Sequence, residues 1–122
     1  MNDEEKINDY RDLLVWQKGL GLAKQIYPLT QSFPNEERFD LTSQIRRAAV
    51  SVPSNIAEGQ ARSGKKEFIH FLYIARRSLA EIDTQCLIAK DLGYISDQQY
   101  ENIYSCIDEL KRMLYSLIDK LP

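Results

Sequence analysis

Between Phe68 and Ala89 the apolar residues fall at steps of four and three: Phe68, Leu72, Ala75, Leu79, Ile82, Cys86 and Ala89. Side chains so spaced line one seam of a helix, and the 3.5-residue average makes that seam follow a partner helix wound around it. A helix of this length cannot bury the seam by itself, so the rest of the chain must supply other helices. Phe71, Ile74, Ile88 and Leu92 add a second apolar stripe, interrupted by Ser78, Glu81 and Gln85 on the same face. Gly93 is placed to end the helix, with Tyr94 and Ile95 packing back against it.

Three further segments carry helical periodicity. Ser96 to Gln99 reads as a capping box, followed by Tyr100, Ile103, Ile107, Leu110, Leu114, Leu117 and Leu121 at three and four. Near the N-terminus, Asp12 is a candidate N-cap for a helix with the stripe Leu13, Trp16, Leu20, Ala23 and Tyr27, which Pro28 bends or ends. A second helix is expected to begin at Pro34 to Glu36, where proline and two glutamates suit a first turn. Residues 1–11 are polar and aperiodic and read as a tail, leaving 12–122 as one domain. Four amphipathic helices with short connections make an all-α, up-down-up-down antiparallel four-helix bundle with left-handed crossings near about +20°.

The second helix holds the least ordinary stretch, QIRRAAVSVPSNIAE, from Gln44 to Glu58. Leu41, Ile45, Ala48 and Val52 form its stripe, and then Pro53 interrupts it. Either the helix stops at Val52 and a loop follows, or a kinked helix runs on to Glu58 with Gly59 as its left-handed cap. Ser54, Asn55 and Glu58 make sense only if helical geometry aims them inward, so the continuous, kinked helix is expected. Asn55, Glu58, Ser78 and Glu81 would then meet as an interhelical polar network that sets register. With buried partners, Glu58→Ala would cost on the order of 1–3 kcal/mol.

The segment ERFDLTSQIRRAAVSVPSNIAEG, Glu37 to Gly59, resembles the signature of a bacterial four-helix-bundle family labelled ribosomal-RNA-intervening-sequence protein. The resemblance extends upstream over Asp12 to Pro34 and downstream over Glu67 to Ile95. Asp40 and Arg77 depart from its pattern, where a glycine and a small residue are usual. It implies the same bundle, assembled into a ring-shaped homopentamer. A distant relative, the accessory variability protein of diversity-generating retroelements, also forms a pentameric ring and binds nucleic acid and a reverse transcriptase. That relative is strongly basic, whereas this chain carries a formal net charge of −2.

The charge is unevenly spread. From Arg38 to Arg77 eight basic residues face three acidic ones, a net +5, so the remainder carries −7. Such asymmetry marks either an anionic partner or a solvated basic face beside an acidic one. Arg46, Arg47, Arg62, Lys65, Lys66, Arg76 and Arg77 are the candidate band for RNA or a nucleoprotein partner. The other reading is a protein-interaction scaffold without a nucleic-acid role. Tyr73, Tyr104 and Tyr115 fall off the main seams, which suggests a second buried face and hence an oligomer.

Enzyme chemistry finds little support. Glu67-x-x-His70 resembles half of a di-iron bundle site, but His70 is the only histidine. A nucleophile–histidine triad lacks its partners for the same reason. GQARSGKK lacks the spacing of a phosphate-binding loop. Glu58 and Glu81 could act as acid and base if buried, though the register-setting network accounts for them better. No metal and no cofactor is expected. Cys86 and Cys106 lie inside helical patterns and read as small core residues of a cytoplasmic protein. No apolar run approaches the ~20 residues of a membrane span.

Overall fold

The computed structural model describes residues 9–121. Four helices make up the fold: α1 (Leu14–Gln31), α2 (Leu41–Ala61), α3 (Lys65–Asp91) and α4 (Asp97–Lys120), with 3-10 turns at Tyr10–Asp12 and Asn35–Glu37. α1 packs on α2 and α4, and α3 packs on α2 and α4, so chain neighbours are spatial neighbours around a bundle. There is no strand among the described residues, and no helix is long and apolar enough to cross a membrane.

α3 and α4 are built as their seams dictate. Leu72, Ala75, Leu79, Ile82, Cys86 and Ala89 are buried, as are Tyr100, Ile103, Ile107, Leu110 and Leu114. Burial pushes the Cys86 thiol up to about 12, so it stays a protonated core group at neutral pH. Gly93 ends α3 with φ +80°, a conformation that disfavours residues with a Cβ. The Gly93 N–H donates to Lys90 O (3.0 Å) and the Tyr94 N–H to Ala89 O (2.8 Å), the paired bonds of a Schellman motif. At α4, Ser96 Oγ accepts from Gln99 N (3.1 Å) and Gln99 Oε1 accepts from Ser96 N (2.8 Å), completing the expected capping box.

α1 and the start of α2 differ from expectation. Asp12 does not cap α1; it closes a 3-10 turn capped by Asp9, and α1 starts from Leu13 with no side-chain cap. Residues 9–11, read as tail, thus belong to a turn whose Tyr10 ring meets Trp16 edge-on at 5.2 Å. Residues 1–8 of the expected tail lie outside the described residues. The buried stripe of α1 is Val15, Gly19, Leu22, Ala23, Ile26 and Leu29, while Leu20 and Tyr27 are exposed. Two adjacent stripes were available, and the close approach of α2 selects between them. A Cβ on Gly19 would lie 3.2 Å from Val52 Cγ1 and 3.5 Å from the backbone of Pro53. Pro28 lies inside α1, which continues to Gln31.

The proline and glutamates at 34–37 start a 3-10 turn rather than α2, which begins at Leu41. Both kinds of turn share the same start signals, and Asp40, at φ −126° and ψ −102°, separates them. Tyr94 Oη donates to Glu37 Oε2 (2.8 Å), tying this turn to the α3–α4 corner. α2 then runs unbroken through Pro53 to Ala61, but of the polar set expected to point inward only Asn55 is partly buried, Ser54 and Glu58 being exposed. Gly59 is not its cap. It is a buried helical residue, and α3 crosses so close that an added Cβ would lie 2.6 Å from Phe71 Cβ. The positive-φ glycine of this connection is Gly64, at +105°.

Candidate nucleic-acid interface

The seven candidate cations do not form one band. Arg46 turns to α1, where its Nε donates to Thr30 Oγ1 (2.8 Å) and its guanidinium lies 4.8 Å from the Tyr27 ring centre. Arg47 lies in a groove between α2 and α3, donating to Ser43 Oγ (2.9 Å). Arg62 is paired with Glu58 (2.9 Å) and Glu67 (3.7 Å) and covers the Phe71 ring at 5.1 Å. Each of these three is held by neighbours on a different side of the bundle.

The other four share one helix. Lys65 and Lys66 are exposed in the first turn of α3, and Arg76 and Arg77 follow three turns later. Lys66, His70, Tyr73 and Arg77 recur at four, three and four, a stripe opposite the core seam. Between Lys66 and Arg77 this stripe rises about 16 Å along the axis. His70, Tyr73, Arg76, Arg77 and Ala80 line a depression of about 450 Å³, and Arg76 lies 4.6 Å from the Tyr115 ring centre on α4. Glu67 is the only carboxylate from Lys65 to Ala80, and Arg62 bridges it. Cations at a helix N-terminus oppose the macrodipole, so Lys65 and Lys66 do nothing for the helix and add to a positive potential there.

The polar residues expected as a network part company. Asn55, Ser78 and Glu81 line the α2–α3 groove, about 390 Å³, with Gln44, Arg47, Ser51 and Gln85. Its floor is a link between the helices: Ser51 Oγ and Ser78 Oγ are in hydrogen-bond contact, and Ser78 is buried. Asn55 Nδ2 donates to Ser51 O (2.7 Å) and so braces the same turn. Glu81 is exposed on the groove. Glu58 is a correction: it lies outside the groove, its side chain 51% exposed, holding Arg62 at the bundle end. The helix places it one turn past Asn55, on the solvent side of the Gly59 crossing. Ser51, which had not been singled out, makes the interhelical contact. Its signal was the spacing Gln44, Arg47, Ser51, Asn55, which repeats at three and four and faces Ile74, Ser78, Glu81 and Gln85.

An exposed i,i+4 pair is worth about 0.3–0.5 kcal/mol. Glu58→Ala is therefore expected to shift stability by no more than about 0.5 kcal/mol in a urea titration, and a loss above about 1 kcal/mol would return Glu58 to the interior.

The profile of the 23S rRNA-intervening sequence protein family matches residues 11–116. The chain belongs to this family. Among solved structures, one of a protein with unknown function from the S23 ribosomal protein family of Bacteroides thetaiotaomicron VPI-5482 shares the fold, with a TM-score of 0.80 at 30% identity. The match covers 86% of this chain and 98% of that one. A search of curated proteins gave no match. In this 23S rRNA-intervening sequence protein, the stretch from Glu37 to Gly59 mainly shapes the α2–α3 crossing, through Ser51, Asn55 and Gly59. Beyond it, on α3, Lys65, Lys66 and Arg77 are exposed.

Proposed function

We propose that this protein is a small, non-enzymatic binding module of the cytoplasm that holds an anionic polymer, RNA or the RNA of a nucleoprotein, on the outer face of α3. The observation that carries this reading is the run of exposed Lys65, Lys66 and Arg77 along α3, with Arg76, Arg77 and the exposed Tyr73 lining one depression and Glu67 already paired with Arg62. Contacts of this kind work by counterion release and fix position rather than sequence.

The module works as a homo-oligomer, a pentameric ring in the family resemblance. Exposed apolar side chains on different elements support a head-to-tail contact: Leu14 on α1, Phe39 before α2, Leu92 after α3 and Tyr115 on α4. Repetition around a ring multiplies a modest single-site affinity. Light scattering at tens of micromolar protein is expected to return a closed oligomer; a monomer would remove this part of the reading.

The opposing feature is the −7 carried outside residues 38–77, which favours a protein-interaction scaffold. Fluorescence anisotropy with labelled RNA separates the two. Binding at about 50 mM salt should weaken with a log–log slope of about −3 for four phosphate contacts. Lys65→Glu together with Lys66→Glu should roughly halve that slope, whereas Arg46→Glu should leave it unchanged. Absence of any shift at micromolar protein would hand the function to the scaffold reading.

A further inference from the structure

We propose that the α3 face takes single-stranded rather than duplex nucleic acid, with an unpaired base stacked on Tyr73; this rests on the nucleic-acid reading above. Tyr73 lies off the core seam and is 46% exposed. It lines a depression together with His70, Arg76, Arg77 and Ala80. About 450 Å³ of open space next to a half-exposed ring is within the range that admits a small planar ligand. Arg76, which lies 4.6 Å from the Tyr115 ring centre, links the depression to α4. Cations that track phosphates, alternating with aromatic faces that take bases, are the parts of a single-strand groove.

A duplex cannot use this arrangement in the same way. Its bases are stacked on one another and offer only edges, and the deep, narrow major groove of RNA does not admit side chains. Lys65 and Lys66 at one end and Arg77 at the other, about 16 Å apart along the helix, would hold non-adjacent phosphates of a flexible strand, leaving a base between them free to turn onto Tyr73. Because every base has a π-face, stacking of this type tolerates many sequences.

The test uses the full chain and labelled oligonucleotides of one sequence, either single-stranded or annealed to their complements, RNA and DNA in parallel at equal salt. The single strand is expected to bind at least about tenfold tighter than the duplex. Tyr73→Ala should cost about tenfold on the single strand, leave the salt slope unchanged and barely alter duplex binding; Tyr73→Phe should bind like the parent. Circular dichroism checks that Tyr73→Ala retains its helices, and the Phe variant carries the comparison if it does not. Equal or tighter duplex binding, duplex DNA taken into a major groove included, would overturn single-strand selectivity while leaving the basic face intact. So would a Tyr73→Ala variant within about twofold of the parent, or a Tyr73→Phe variant as weak as an alanine would be. No binding to any oligonucleotide would overturn both readings together.

Discussion

Gly59→Ala is expected to destabilise the bundle by about 2–3 kcal/mol, against the usual direction of such a change. Alanine in a helix interior is normally better than glycine by roughly 1 kcal/mol. At Gly59 the added methyl would lie 2.6 Å from Phe71 Cβ, 3.1 Å from Phe68 Cδ1 and 3.3 Å from Phe68 O. A Cβ and a backbone oxygen cannot swing aside, so α2 and α3 must separate, loosening the Ser51–Ser78 contact along the same crossing. Gly21→Ala supplies the control. Nothing lies within 4 Å of a Cβ there, and the helix propensity gain of up to about 1 kcal/mol should appear undiminished. Urea titrations of the two variants at one protein concentration should therefore move in opposite directions. A stabilised Gly59→Ala variant would mean that the helices do not approach this closely.

Leu79→Ala is expected to cost about 2–5 kcal/mol. Leu79 is fully buried midway along α3, the helix that packs on both α2 and α4. Removing its isobutyl group loses the transfer energy of the missing carbons and leaves a void that two neighbouring helices cannot both collapse into. Leu87, on the same helix but 36% exposed, should tolerate alanine within about 1 kcal/mol. A Leu79→Ala loss no larger than that of Leu87→Ala would show that α3 does not bury the seam facing Leu79. Because an oligomer adds its own concentration-dependent stability, both must be measured at matched protein concentration.

How much of this was legible beforehand varies along the chain with physical cause. α3 and α4 could be read from their heptad seams, although α3 also offers a second apolar stripe whose Ile88 and Leu92 are left exposed. Their ends were equally legible, because Gly93 and the Ser96–Gln99 box are local devices whose hydrogen bonds close within a few residues. α2 does continue through Pro53, yet Ser54 and Glu58 beyond it are exposed, so the inward-facing polar set was not the reason. By contrast, α1 offers two neighbouring stripes, and only the approach of α2 at Gly19 decides which is buried. Gly59 carried a local cap signal and a packing role at once; the nearness of Phe71, twelve residues away, selected the second.

For the candidate site the division is sharper. That basic residues concentrate between Arg38 and Arg77, and that the chain can build four helices, follows from the residue order alone. Which cations are free to meet a partner was decided only in three dimensions. Arg46, Arg47 and Arg62 are each drawn to a neighbouring side chain and Arg76 lies over Tyr115, while Lys65, Lys66 and Arg77 are exposed along α3. Helix periodicity places a residue on a face of its own helix, but whether that face meets another helix, a carboxylate or solvent depends on how the helices pack, and that is a property of the tertiary structure alone.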